Sequence, residues 1–139
     1  MSEHGMLTLR TPAGDGLRFE AAFPTGVIVI DGGPRAVAPN PVQHLLAAIA
    51  ACEAMDVMEL LRKKRQRVSA YEVVMTGERA VEHPRRFTAI EFVHRLTGRG
   101  IAHTAVQDAL RLTVEKYCSV YHSVRPDIVI TNRSEIIEE

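Results

Sequence analysis

Two cysteines, Cys52 and Cys118, are the residues of this 139-residue chain whose side chains could carry out distinctive chemistry. A thiolate is a nucleophile, but a free thiol has a pKa near about 8.5, so an attacking cysteine needs a neighbour that stabilises its ionised form. The pair lies in no C-x-x-C motif and is too small for a disulfide framework. Two thiols without clustered histidines also fall short of a four-ligand metal site, so we expect no metal. The residues alone leave open whether the thiols are reactive or are packing residues.

The composition is that of an ordinary globular chain, with 46% apolar and 24% charged residues. Seventeen basic and seventeen acidic residues give a net charge of zero. This balance argues against a nucleic-acid or membrane-surface partner held by bulk charge. The N-terminus is polar and has no apolar run before Leu7, so we expect no secretory signal and a cytoplasmic protein. The length suits a single domain over residues 1–139.

The first cysteine lies in a long predicted helix, from Asn40 to Arg67. Asn40 is a good N-cap, Pro41 suits the first helical position, and Gln43 completes a capping box. Apolar side chains go nearly all the way round, so a sheet, a second helix or a partner subunit must surround this helix. A membrane span is rejected because three acidic residues would be costly in hydrocarbon: Glu53, Asp56 and Glu59.

The second cysteine lies at the end of a second predicted helix, about Thr104 to Val120. Its apolar stripe consists of Val106, Ala109, Leu110, Thr113, Val114 and Tyr117. Cys118 is the next residue round from that stripe. His122, four residues later, could assist this thiol if the helix continued so far, but a surface histidine is the simpler interpretation.

The remaining segments are predicted strands, and the turn clusters between them favour antiparallel pairing of neighbours. Residues 1–34 form a meander whose third strand, Val27 to Ile30, is β-branched and therefore expected to be buried. A hairpin and a last strand follow within a body over residues 40–139, and the acidic tail is expected to fray. The segments after the meander are Ser69 to Ala80, Phe87 to Thr97, Ile128 to Ile130 and the tail Glu135 to Glu139.

These elements predict an α+β fold in which antiparallel sheets surround a long buried helix and a second, cysteine-bearing helix. One face of the second hairpin strand carries Ile90, Phe92, His94 and Leu96, by the two-residue period of a strand. His94 on that face could be a ligand or an acid–base group, or a half-buried histidine whose hydrogen bonds are satisfied.

Several motifs together resemble the OsmC/Ohr family, and its OsmC-like branch more than the organic hydroperoxide resistance branch proper. The resemblance covers nearly the whole chain, and the two cysteine motifs at their separation are its most specific part. The motifs are Asn40-Pro41, Leu45-Leu46-Ala47-Ala48, Ala51-Cys52, Asp56-Val57, Pro84-Arg85-Arg86-Phe87-Thr88, Leu96-Thr97-Gly98 and Glu115-Lys116-Tyr117-Cys118-Ser119-Val120.

The resemblance implies an intertwined homodimer with an exchanged N-terminal sheet and central helices packed back to back. It also implies an antioxidant enzyme of the oxidative stress response, a thiol peroxidase that reduces organic hydroperoxides without a cofactor. Cys52 would be the peroxidatic thiol, oxidised to a sulfenic acid, and Cys118 the resolving thiol. A dithiol, of lipoyl or similar type, would reduce the resulting disulfide by exchange.

The chain departs from the peroxidase branch at Val42, which stands where that branch has a glutamate that helps to hold an arginine over the reactive cysteine. The family's arginine comes from the N-terminal sheet, and Arg18 and Arg10 are the candidates here. Asp56, four residues after Cys52 on the same helical face, could position an arginine or bond backbone. The alternative is therefore an OsmC-like dimer without peroxidase activity, which binds a small apolar ligand or acts on another thiol substrate.

Overall fold

The computed structural model describes all 139 residues, and it contains two α-helices and two three-stranded sheets. The predicted α+β class is therefore confirmed. By its contacts the chain divides into two compact units, Met1–Leu45 and Leu46–Glu139. That residues 1–139 make up a single domain stays a prediction.

The N-terminal unit is the predicted antiparallel meander, with the strands in chain order. Its strands are β1 (Met6–Leu9), β2 (Arg18–Phe23) and β3 (Gly26–Asp31). The expectation that the third strand is buried is wrong for the single chain, in which Val27 is 60% and Ile28 is 42% exposed. The β-branched residues do form a strand, as their propensity predicts. Propensity alone does not say whether another element covers the faces of that strand.

The long helix α1 (Pro41–Lys63) begins with the predicted capping box. The Asn40 amide donates to Gln43 Oε1 and the Gln43 amide donates to Asn40 Oδ1, both at 2.9 Å. Only one stripe is buried, formed by Ile49, Ala50, Glu53, Val57 and Leu61. Met55, on another face, is 70% exposed, so the single chain leaves part of α1 uncovered, and whether a partner subunit surrounds it stays a prediction. No helix in the structure combines the length and apolar character that crossing a membrane requires.

The helix α1 ends four residues before the predicted boundary at Arg67. Arg65 adopts a left-handed conformation, with φ of 58°. Its amide donates to the Arg62 carbonyl at 3.0 Å, and the Gln66 amide donates to the Leu61 carbonyl at 2.9 Å. These two bonds are the Schellman pattern that closes a helix, here with arginine where glycine is usual.

The C-terminal unit carries the second sheet, in the order β4–β5–β6. The hairpin of β4 (Val68–Arg79) and β5 (Phe87–Gly98) is antiparallel, as predicted. The last strand β6 (Val129–Glu138) is instead parallel to β5, because α2 (His103–Leu112) and the turns after it carry the chain back to the start of β5. A crossover of this kind is what parallel neighbours require.

The acidic tail is not frayed, since residues from Glu135 to Glu138 pair with the end of β5. The four residues that the two-residue period placed on one face of β5 are buried: Ile90 is 2% exposed, and Phe92, His94 and Leu96 are wholly buried. Apolar residues of α1, β5 and α2 meet in one core cluster: Val57, Leu61, Leu96, Ile101, Val106, Ala109 and Leu110.

Candidate functional site

The two cysteines lie 66 positions apart in the sequence and come together inside the C-terminal unit. The Sγ atoms of Cys52 and Cys118 and a carboxylate oxygen of Asp56 all lie within 4.8 Å of one another. Both cysteines are free thiols, with Cys52 half-buried and Cys118 wholly buried. Asp56 shares the face of α1 with Cys52, as the four-residue spacing predicts.

A π turn over Thr113–Tyr117 places Cys118 in this cluster. The Cys118 amide donates to the Thr113 carbonyl at 2.9 Å, a bond that spans five residues where an α-helix would span four. The extra residue exposes Tyr117 (47%), which the stripe predicted to be buried, and buries Cys118. The sequence pattern was therefore right about the stripe as far as Thr113 and wrong beyond it.

The surroundings of Cys118 keep this thiol protonated. Burial raises its pKa to about 12, and the neighbouring Cys52 thiol and the charge of Glu53 add to the rise. The Tyr121 amide donates to Cys118 Sγ at 3.3 Å and opposes it, since a donor favours the thiolate. Cys118 therefore does not resemble an activated nucleophile in the reduced protein.

Asp56 links the thiols to a pocket of about 230 Å³. Burial, and then the charge of Glu59, raise the pKa of Asp56, and its Oδ2 is buried without a hydrogen-bond partner. The remaining lining combines Leu60 and Tyr117 with Lys63. The pocket beside Asp56 is therefore lined by apolar side chains together with acidic and basic ones.

The other candidates from the sequence have the following local surroundings. Arg18 lies on β2 in the N-terminal unit, where its Nε is buried without a hydrogen bond, and Arg10 pairs with Glu20 at 3.0 Å. His122 is exposed, and its Nε2 lies 2.8 Å from the Val114 carbonyl oxygen. This ring nitrogen is therefore engaged in a hydrogen bond with the backbone. Val42 is the second residue of α1.

A buried polar network beside the cluster was not predicted as such. His94 Nδ1 lies 2.7 Å from the Tyr71 hydroxyl oxygen, and His94 Nε2 lies 2.8 Å from Asn132 Oδ1. Glu53 Oε1 is 3.5 Å from the same Nε2, and both the Glu53 and His94 side chains are wholly buried. Burial and the charge of Glu53 raise the pKa of Tyr71 well above its usual value.

His94 is thus a satisfied core histidine, but it is fully rather than half buried. The sequence carried a usable signal for the network, because Glu53 lies four residues before Val57 on the apolar stripe and His94 lies among apolar residues on β5. Two titratable groups placed on facing apolar surfaces must be paired or neutral.

Comparisons with known proteins agree with this architecture. The family model described as "OsmC-like protein" matches residues 32–133. Protein YhfA of Escherichia coli K12 is 39% identical over 124 residues, which cover 88% of this chain and 92% of YhfA. The chain therefore belongs to the OsmC-like family.

Solved structures share the whole fold. A hypothetical protein from Aquifex aeolicus VF5 has a TM-score of 0.87 at 29% identity, covering 100% of this chain and 98% of that one. The organic hydroperoxide resistance protein OhrB of Bacillus subtilis has a TM-score of 0.64 at 16% identity, covering 95% and 98%. At such low identity, the second likeness describes the fold alone.

Proposed function

We propose that this protein is a thiol peroxidase that reduces organic hydroperoxides through Cys52 and Cys118. The observation that carries the proposal is the meeting of two free sulfurs, with Asp56, within 4.8 Å in a member of the OsmC-like family. A disulfide would require the two sulfurs, which lie within 4.8 Å of each other, to approach to about 2.05 Å. The name of the Bacillus subtilis relative supports peroxides as the substrate class.

The proposed cycle balances with two thiols and one peroxide. The Cys52 thiolate attacks the outer peroxide oxygen, the O–O bond breaks, and the alkoxide leaves as an alcohol after taking a proton. Cys118 then attacks the sulfur of the Cys52 sulfenic acid, and hydroxide leaves as water with the Cys118 proton. A dithiol reductant returns both thiols by exchange. The cycle starts from two reduced thiols, and the cytoplasm keeps thiols reduced. We therefore place the protein in the cytoplasm.

The proposal includes a homodimer in which the N-terminal sheet is exchanged. Large apolar side chains exposed in the single chain support it, because they occur on both units: Leu7, Leu9, Val27, Ile28, Leu45 and Met55. A second subunit would cover such surface. We further propose that the partner subunit's Arg18, whose Nε makes no hydrogen bond, stabilises the Cys52 thiolate, and that Asp56 positions it.

The second candidate is a dimer without peroxidase activity that binds a small apolar ligand or acts on another thiol substrate. Two observations favour it. Val42 replaces the glutamate of the peroxidase branch, and Asp56 places a negative charge beside the sulfur that should ionise. The pocket bordered by Leu60 and Tyr117 would then receive the ligand.

Turnover of cumene hydroperoxide and hydrogen peroxide, with dihydrolipoamide as reductant, separates the two candidates. We expect consumption that prefers the organic peroxide, is lost in Cys52→Ser, and leaves a Cys52–Cys118 disulfide when the reductant is withheld. Cys118→Ser should still react once and stop as the sulfenic acid. Turnover no faster than that of Cys52→Ser would overturn the peroxidase proposal in favour of the second candidate.

A further inference from the structure

Cys52, Asp56 and Cys118 bring three metal-binding donor atoms together. Their two Sγ atoms and one carboxylate oxygen all lie within 4.8 Å of one another, and the side chains come from α1 and from the residue that follows the π turn. In a tetrahedral zinc site, with Zn–S of about 2.3 Å and Zn–O of about 2.0–2.2 Å, such donors lie about 3.5–3.8 Å apart. The limit of 4.8 Å accommodates this spacing.

The carboxylate of Asp56 points to a cation independently of the sulfur spacing. Its Oδ2 is buried without a hydrogen-bond partner, beside two thiols that also become anions when they ionise. A buried negative charge is costly unless a positive charge compensates it. Any cation at this carboxylate would provide that compensation, but a metal ion would also bind the two sulfurs.

The donor set defines the class of ion. Thiolates bind zinc and other soft or borderline cations, whereas Mg²⁺ and Ca²⁺ take oxygen ligands. The expectation of no metal counted two thiols, and the structure adds the Asp56 carboxylate as a third donor. Three protein ligands leave the fourth position of a tetrahedral ion to water. The Tyr121 amide, which donates to Cys118 Sγ at 3.3 Å, supplies the outer hydrogen bond that orients a ligand.

We propose that the reduced protein binds one Zn²⁺ ion through Cys52, Asp56 and Cys118. Each thiol gives its proton to solvent and forms a Zn–S bond, with no change of oxidation state. The ion takes no part in the proposed peroxide cycle. One consequence rests on the proposed function: the bound ion would occupy both thiols, so that the peroxidase would react only after the metal has left.

Cobalt(II) is the probe, because a thiolate bound to it produces a charge-transfer absorption that histidine and carboxylate ligands do not. The reduced protein is titrated with Co²⁺ in a non-thiol reductant, and we expect this absorption to saturate at one ion per chain. Cys52→Ser should lose most of it, and Asp56→Asn should weaken binding by at least about tenfold. Glu82→Gln, which changes an exposed acid on the β4–β5 connection, is the control and should bind as the parent does.

No thiolate absorption in excess Co²⁺ would overturn the proposal, and so would parent-like binding by Asp56→Asn. Should Cys52→Ser fail to fold, alkylation of the parent provides the test. Zn²⁺ must slow the labelling of Cys52 by iodoacetamide and a chelator must restore it; labelling that ignores Zn²⁺ refutes the site. No peroxide enters either measurement, so a protein without peroxidase activity could still pass and an active peroxidase could still fail.

Discussion

The amide of Cys118 donates to the carbonyl of Thr113 across five residues, and this one bond turns the second thiol into the core beside Cys52. The π turn behaves as one extra residue inserted in a helix that is otherwise regular from His103 to Leu112. Without the insertion, the apolar stripe would continue to Tyr117 and Cys118 would lie beside it.

Deletion of Lys116, an exposed residue of the π turn, should therefore be tolerated. It shortens the Thr113-to-Cys118 spacing to that of an α-helix and keeps both side chains on one face. We expect the free energy of unfolding in urea to change by less than about 1 kcal/mol, and the disulfide to form on oxidation. Deletion of Asp108, in the regular part of α2, is the control: it rotates all later residues by about 100° and should prevent folding. Equal damage from both deletions would contradict this account of the turn.

Alkylation should distinguish the two thiols in the folded, reduced protein. Because the pKa of Cys118 is raised to about 12, this thiol is protonated at neutral pH and its labelling by iodoacetamide should keep rising with pH up to that value. Peptide mass spectrometry after timed labelling measures each site separately. In denaturant the burial is lost, so Cys118 should label as an ordinary thiol. Fast neutral-pH labelling of folded Cys118 would show that its environment is not the one described.

The Glu53–His94 pair should show strong coupling in a double-mutant cycle. Removing His94 leaves the Glu53 carboxyl group buried without a partner, so His94→Leu alone should cost about 3–5 kcal/mol of unfolding free energy. Glu53→Leu should cost less, because Tyr71 and Asn132 still bond His94. The double variant should cost clearly less than the sum, because it leaves no buried carboxyl group without a partner. Urea denaturation of the four proteins measures the cycle. Additive losses would mean that the two side chains do not interact across 3.5 Å.

The end of α1 offers a stabilising substitution. Arg65 has a left-handed backbone with φ of 58°, which costs an L-residue with a Cβ roughly 1 kcal/mol and costs glycine little. Arg65→Gly should therefore raise the free energy of unfolding by up to about 1 kcal/mol. Arg62→Gly, in the last regular turn of the same helix, is the control and should lower it by a similar amount. If Arg65→Gly lowered the free energy of unfolding, the contacts of the arginine side chain would stabilise the protein by more than its left-handed backbone conformation destabilises it.

Local signals in the sequence were sufficient for much of this protein. The capping box at Asn40 and Gln43 depends on residues three apart, and the alternation along β5 depends on a two-residue period, so both could be predicted without the fold. The paired cysteine motifs likewise identified the family. In each case the determining interactions lie within a few residues of one another, or in a pattern of residue types.

What the tertiary structure decided is set by contacts between distant residues. The parallel pairing of β6 depends on a crossover, the inward turn of Cys118 depends on one residue of helical register, and the pairing of Glu53 with His94 depends on a helix packing on a sheet. Propensity and periodicity carry no information about such partners, because many packings satisfy the same local pattern. The sequence alone determined which residues could do chemistry, and the packing decided which of them meet.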